Sequence, residues 1–423
     1  TQIAEIAFCN PFNREIDDLE RAILRLTTTD LSSEQRLPLL LEAIESQFSN
    51  IGKIIPKDFK GNDRTMLEIC WLYDRYHSYQ YHFDRFIEEQ NQEGDTPLRL
   101  PFADNLIDEF EQAGFNREET AKYIALFFQL RRGFYFISRG VYGNSPSMIE
   151  LRMRLWNNIF TFQPKWYLDF LCEQMEDFST LLLGETGTGK SMVAHAIGNS
   201  GFIPFDLNKR KFMESFTRAF QAINLSQYPV SLLESELFGH KKGAFTGAID
   251  NHQGIFARCS IHGAVFIDEI GDTDIPTQVK LLTVIQDRIF CPVGGHEKQR
   301  FEGRVIAATN RDIQQLRSAG HFRDDLYYRL CSDVITIPPL RQRLQEEPGE
   351  LKALIQTLLN KMFPKATADL TLQIDRRIRK TVPENYSWPG NVRELEQCIR
   401  RICLTGGYKT DGLEIQNQPS PEA

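Results

Sequence analysis

Gly184-Glu-Thr-Gly-Thr-Gly-Lys-Ser191 follows the apolar run Leu181-Leu182-Leu183 and precedes Met192-Val193-Ala194-His195-Ala196-Ile197, which has a helical pattern. The octapeptide fits G-x-x-x-x-G-K-[ST], and strand–loop–helix is the context in which that pattern cradles phosphate. Glycines let the backbone curl until its N–H groups converge. The helix N-terminus behind the loop adds positive partial charge at the same point. The expected nucleotide-binding set is Gly184, Glu185, Thr186, Gly187, Thr188, Gly189, Lys190, Ser191 and Met192. Lys190 would reach the β- and γ-phosphates of ATP, and the Ser191 hydroxyl would ligate Mg²⁺. A chance glycine-rich turn is the competing explanation, and the flanking strand and helix weigh against it.

Other stretches complete such a site. Gly263-Ala-Val-Phe-Ile-Asp268-Glu269 is an apolar strand that ends in two acids. At the carboxyl end of a parallel strand, these acids fall beside the phosphate loop. Asp268 is expected to hold Mg²⁺, and Glu269 to orient and deprotonate the attacking water. A third strand ends in Ala307-Ala308-Thr309-Asn310, which aims Thr309 and Asn310 at the γ-phosphate or the water, unless they only cap the strand. Arg323 and Arg329 stand nearly two helical turns apart and can share one edge of a subunit. Phosphoryl transfer gains from an arginine supplied in trans; a surface salt bridge is the plainer role for each. Trp388-Pro-Gly-Asn-Val-Arg393 opens a helix near the end of the chain, and Arg393 is placed to fold onto the nucleotide.

The chain around these motifs has 423 residues, which suggests two or three domains. Residues 1–138 read as an all-α domain. Ile16, Leu19, Ile23 and Leu26 fall at helical spacing, as do Leu37, Leu40, Leu41 and Ile44, and Leu72, Tyr76, Tyr79, Phe83 and Phe86. A further helix starts with a capping box at Asn116 and Glu119 and is expected to stop at Gly133. The aromatic stripe could be a stacking platform, but its spacing is that of a helix core. From 139 to 340 the pattern is α/β, with apolar strands at Thr180–Leu183, Ala219–Asn224, Ala264–Ile267, Val305–Ala308 and Val334–Ile337. Such alternation implies a mostly parallel sheet sandwiched by helices. Residues 341–423 return to helix, and 416–423 read as a disordered tail.

Bulk composition narrows the function classes. A net charge of −8 does not advertise non-specific nucleic-acid binding. The basic run Arg376-Arg377-Ile-Arg379-Lys380 reads as a solvated helix face, with DNA contact as its alternative. Eight cysteines without C-x-x-C spacing suggest buried thiols in a reducing cytoplasm, not a disulfide frame or a zinc site. No apolar run approaches the length of a membrane span.

One more stretch decides between nucleotide-binding families: Glu236-Leu-Phe-Gly-His240-Lys-Lys-Gly243-Ala244-Phe245-Thr246-Gly247-Ala248. With the motifs above, it makes residues 139 to 415 resemble the AAA+ domain of bacterial enhancer-binding proteins, the ATPases that activate sigma-54 RNA polymerase. Gly143-Asn-Ser-Pro-Ser-Met, Pro292-Val-Gly-Gly-His and Leu340-Arg-Gln-Arg also match the family's pattern. The resemblance implies an AAA+ P-loop NTPase fold with a helical lid. It implies that the GAFTGA residues 243–248 contact sigma-54 and that Phe245 and Thr246 carry most of that role. It further implies that Asn224 pairs with Glu269 as a switch. Finally, it implies a homo-oligomeric ring, usually a hexamer, in which Arg323 and Arg329 act on the neighbour's nucleotide.

The chain departs from the family's pattern in several places. Residues are inserted near Asp206–Arg218, the segment Trp156–Asp177 is long, and the N-terminal domain is not a receiver. No helix-turn-helix is expected after Arg393, so direct DNA binding is doubtful. The leading expectation is a sigma-54-dependent transcriptional activator. The alternative is an AAA+ nucleotide-gated sensor or effector that does not act on sigma-54.

Overall fold

The computed structural model describes residues 2–7, 9–13, 15–24, 33–51, 55–363, 365 and 367–408. Leu26, the side chain of Ile44 and the tail 416–423 lie outside the described residues.

Five strands build the central sheet: β1 (Thr180–Leu183), β2 (Phe220–Asn224), β3 (Ala264–Asp268), β4 (Arg304–Thr309) and β5 (Asp333–Thr336). They correspond to the five expected apolar runs. All pairs are parallel, in the order β2-β3-β4-β1-β5. Parallel strands buried on both faces need apolar residues at successive positions, which is why these runs do not alternate. Leu183 pairs with Thr309, and Asn224 with Asp268. The carboxyl ends of β1, β2, β3 and β4 therefore lie side by side at one rim of the sheet.

Successive side chains of each strand point to opposite faces, and each face has its own core. Leu181, Val265, Ile267, Val305 and Ala307 pack on one side against α10 (Val230–Phe238), α11 (Ile275–Asp287) and α12 (Asp324–Leu330). Leu182, Phe266, Ile306, Ala308 and Ile335 pack on the other against α7 (Arg117–Gly140), α8 (Pro146–Phe160) and α9 (Lys190–Gly198). A third core joins α13 (Leu340–Glu346), α14 (Glu350–Met362), α15 (Ala368–Thr381) and α16 (Asn391–Thr405) as the lid.

The N-terminal segment is helical: α1 (Gln2–Ala7), α2 (Glu15–Leu24), α3 (Ser33–Ile51), α4 (Gly61–Ser78), α5 (Gln80–Glu93) and α6 (Ala103–Gln112) precede α7. The stripe from Leu72 to Phe86 spans two helices that meet at Tyr79. Phe83 and Phe86 are buried and Trp71 meets Phe110 edge-on, so the stripe is core. The capping box at Asn116 and Glu119 is present.

Helix α7, however, does not stop at Gly133; it runs to Gly140. A Cβ at Gly133 would lie 2.7 Å from the Phe160 ring. This glycine is a close-packing position rather than a terminator, and the contact with α8 offsets its helix-propensity cost of ~1 kcal/mol.

The extra residues near Asp206–Arg218 form a hairpin, Phe205–Asp206 with Lys211–Phe212, followed by a short helix, Phe216–Ala219. Phe212 stacks on Phe128 of α7 at 4.1 Å, and the Leu100 N–H donates to the Arg210 carbonyl at 2.8 Å. The insertion thus joins the helical segment to the α/β core. No helix among the described residues is long and apolar enough to cross a membrane.

Candidate active site

Gly187 (φ 81°) and Gly189 (φ 109°) take left-handed backbone in the loop after β1, a conformation that costs glycine little. Gly189 caps α9, so the first free N–H groups of that helix face into the loop. A cavity of about 440 Å³ opens there. Its floor is residues 186–193, and the strand ends Asn224, Asp268 and Glu269 form one wall. Val141, Met148, Leu151, Ile337, Leu358 and Met362 form an apolar wall, and Lys361, Arg393 and Glu396 come from the lid. The structure thus gathers Thr186 to Met192, Asn224, Asp268, Glu269 and Arg393 from the expected set.

The remaining expected residues lie around this cavity or away from it. Gly184 and Glu185 form the base of the loop, where the Glu185 carboxylate receives both Nη atoms of Arg341 at 2.6 and 2.8 Å. Asn310 sits behind Glu269: its backbone N–H donates to Glu269 Oε2 at 3.3 Å, and its side-chain Nδ2 donates to Thr186 Oγ1 at 2.9 Å. Thr309 is fully buried at the end of β4, with Oγ1 accepting from the Arg311 N–H. Asn224 uses its amide oxygen to accept from the Ser226 N–H at 3.0 Å and so caps the turn after β2. It shares the cavity wall with Glu269. Arg323 and Arg329 do not line the cavity. Arg323 caps α12 and pairs with Asp325 at 2.6 and 3.0 Å, while Arg329 is exposed on the same helix.

Charges are tuned by burial. Lys190 is 7% exposed, and its Nζ donates to the carbonyls of Gly184 at 2.9 Å and Glu185 at 3.2 Å. Burial lowers its pKa, while Glu269 and Asp268 act in the opposite sense. The Asp268 carboxyl is raised by burial, against the pull of Lys190. Glu269 is also raised by burial, against the Asn310 N–H. Its backbone is left-handed (φ 57°), which turns the residue off the line of the strand. For a non-glycine residue this costs on the order of 1–3 kcal/mol.

The lid closes on the loop through a residue that sequence motifs did not single out. Asn391 is fully buried with φ 53°; its Nδ2 donates to the Thr186 carbonyl at 3.0 Å, and its Oδ1 accepts from the Leu340 N–H at 2.7 Å. The Val392 N–H donates to the Gly187 carbonyl at 3.1 Å. The apolar wall was also missed, because Val141, Leu358 and Met362 carry no motif. The sequence signal for it is the turn at Gly143, which marks where α7 hands over to the α/β core.

These features fit a nucleoside triphosphate with a divalent cation. The apolar wall suits a base, the helix N-terminus with Lys190 and Arg393 suits phosphates, and Ser191 and Asp268 offer oxygen ligands.

On the other side of α10 stands the Gly243–Ala248 loop. The His240 and His252 backbones bond reciprocally at its base, at 3.0 and 2.9 Å. The Gly243 N–H donates to the Ala248 carbonyl at 2.8 Å, and Gly243 (φ 81°) and Gly247 (φ 103°) supply the reversals. The Phe245 ring meets the His240 ring edge-on at 4.9 Å, leaving Thr246 exposed. The segment around Pro292–Gly295 braces this loop: the Lys241 N–H donates to the Val293 carbonyl, and the Val293 N–H donates to the Gly239 carbonyl, at 3.0 and 2.9 Å.

Residues 171–337 match the family model of the sigma-54 interaction domain, and residues 345–417 match the AAA+ ATPase lid domain. Residues 171–337 are a sigma-54 interaction domain, and an AAA+ lid domain follows it. The sigma-54 interaction domain covers all five strands and both braced loops, and the lid match covers α14 to α16. Helices α1 to α8 lie outside both matches.

Among relatives, the DNA-binding transcriptional regulator NtrC of Azospirillum brasilense is 38% identical over 239 residues, covering 56% of this chain and 46% of that protein. The Nif-specific regulatory protein of Azotobacter vinelandii is 36% identical over 303 residues, 70% of this chain and 49% of that protein. The sigma54-dependent transcriptional regulator SfnR of Pseudomonas fluorescens (strain Pf0-1) is 38% identical over 245 residues, 56% and 61% respectively. The chain spans about half the length of the curated relatives it matches. A crystal structure of NtrX from Brucella abortus in complex with ADP superposes with a TM-score of 0.46 at 20% identity, covering 74% of this chain and 62% of that one.

Proposed function

We propose that this chain is a sigma-54-dependent transcriptional activator: a ring-forming ATPase, working in the cytoplasm, that remodels the sigma-54 RNA polymerase closed complex. The observation that carries this reading is the connection between cavity and loop. Asn224 and Asp268 end paired strands at the cavity. The chain from Asn224 passes through α10 directly into Gly239 and His240, the base of the 243–248 loop. A change at the phosphate end of β2 therefore has a short, packed route to Phe245 and Thr246.

In this reading, the α9 N-terminus, Lys190 and Arg393 hold the phosphates of ATP. Ser191 and Asp268 would hold Mg²⁺, which would supply charge neutralisation to the phosphates. Glu269 takes a proton from the attacking water, and Asn310 fixes the carboxylate that does so. Arg323 and Arg329, which stand apart from their own cavity, are offered to the site of a neighbouring subunit. Residues 1–138 are assigned as a helical regulatory segment, 139–340 as the ATPase core and 341–423 as the lid with a short tail. No direct DNA contact is assigned to the residues of this chain.

The test is capture of purified sigma-54 by the chain in the presence of ADP and aluminium fluoride with Mg²⁺. The expected result is a complex that needs the trapped nucleotide. Nucleotide binding without capture would favour the nucleotide-gated effector instead.

A further inference from the structure

Helix α7 begins in the helical segment and ends at the nucleotide cavity. Its 24 residues span ~36 Å, and it makes three attachments along that length.

The first attachment is to the hairpin insertion, through Phe128 and Phe212.

The second is to the rear of the phosphate-loop helix. Helix α9 ends at Gly198, and the carbonyls after it need donors. Arg132 supplies them: Nη1 donates to Asn199 at 2.8 Å and Nη2 to Gly201 at 2.7 Å. Gln129 Nε2 donates to the carbonyl between them, Ser200, at 2.8 Å. Arg132 is fully buried, and its guanidinium lies over Phe128 at 4.5 Å and Phe216 at 5.6 Å. Its charge is met by the carbonyls just past the end of α9, by two ring faces and by the field of the Glu214 carboxylate. Burial pushes the Arg132 pKa down to about 9, so it remains a cation at neutral pH.

The third attachment is to the lid. Gly140, Val141 and Tyr142, at the end of α7, line the nucleotide cavity. The Tyr142 carbonyl accepts from Arg343 Nη2 at 2.9 Å, and Lys361 Nζ stands 4.3 Å from the centre of the Tyr142 ring. Arg343 is itself held by the fully buried Glu350 at 2.6 Å.

We infer that α7 is a positioning element of the nucleotide site, with Arg132 holding the phosphate-loop helix from behind while Val141 and Tyr142 place the base and the lid. The helical segment is in this account an integral support of the site, which it assists rather than represses. A signal received by α1 to α6 would reach the nucleotide as a displacement of α7. By linkage, nucleotide binding must in turn order α7. The inference rests on the nucleotide reading of the cavity.

The decisive measurement is amide hydrogen exchange on the unaltered chain with and without ATPγS and Mg²⁺. Exchange is expected to slow in residues 133–142 together with residues 184–193. Slowing in 184–193 alone would overturn the role of α7 and leave the nucleotide reading standing. No binding of ATPγS at all would overturn both.

A second measurement uses Arg132→Met and Arg132→Lys. Arg132→Met is expected to raise KM for ATP by about ten- to a hundred-fold, since remote misplacement can cost up to ~10²-fold. Arg132→Lys, which keeps the charge and a donor, should recover part of it. If both variants melt cooperatively and keep the KM of the unaltered chain, Arg132 does not position the site. If Arg132→Met does not fold, the exchange result decides.

Discussion

The side-chain amide of Asn391 joins the lid to the phosphate loop: Nδ2 donates to the Thr186 carbonyl at 3.0 Å while Oδ1 accepts from the Leu340 N–H at 2.7 Å. One fully buried side chain thus ties the first lid helix, the last lid helix and the loop that holds phosphate. Asn391→Ala leaves the Leu340 N–H without its partner in a buried place and releases the lid from the Thr186 carbonyl. The expected loss is ~1–3 kcal/mol of stability, read as a lower melting temperature, together with weaker ATP binding by titration.

Two glycines of the same loop should respond differently to alanine. A Cβ at Gly187 would lie 2.2 Å from the Gly390 carbonyl oxygen, whereas a Cβ at Gly189 meets nothing within 4 Å. Both positions have positive φ, so each pays a left-handed strain of ~1–2 kcal/mol. Gly187→Ala must in addition move the lid. It should raise the Kd for ATP more than Gly189→Ala does, as measured by fluorescence of a labelled nucleotide.

The pH profile of turnover follows from Glu269. A base must be ionised, and burial raises this carboxyl above its ordinary value. The acid limb of kcat should therefore lie above the ~4.3 of a free glutamate, and Glu269→Gln should bind ATP without turnover at any pH. The linkage has the opposite sign for folding. Glu269 and Asp268 both have raised folded-state values, so their contribution to stability is present at low pH and is lost as pH rises through those values.

Sharing of sites between subunits can be read by mixing. Lys190→Ala should abolish nucleotide binding, and Arg323→Ala should lower kcat by ~10³ or more if its guanidinium acts as an arginine finger. Mixtures of the two should regain part of the ATPase activity. No recovery at any ratio would place Arg323 in the site of its own subunit.

Much of this arrangement was legible in the sequence. Each central strand contains a short apolar run, and the phosphate loop and the Asp268–Glu269 pair sit at strand ends where motif spacing puts them. Other parts were not legible, because their meaning lies in tertiary partners. Gly133 reads as a helix stop until the Phe160 ring is seen 2.7 Å from its missing Cβ. Asn391 is one residue of a turn until Thr186 and Leu340 are found on either side of it. Arg132 looks like any arginine on an amphipathic helix, since its two acceptors are carbonyls far along the chain. The inserted residues 206–218 stood out as an insertion, but only the structure shows that they clasp α7.

The central claim is that ATP turnover is read out at the 243–248 loop by sigma-54. Thr246 is exposed at its tip, away from the cavity, so Thr246→Ala should leave the ATPase rate within about two-fold, as surface substitutions usually do. The direct measurement is ATP-dependent open-complex formation by sigma-54 polymerase on a promoter template, with Thr246→Ala beside the unaltered chain. The account predicts open complexes with the unaltered chain and none with Thr246→Ala at matched ATPase activity. Normal open-complex formation by Thr246→Ala would contradict it.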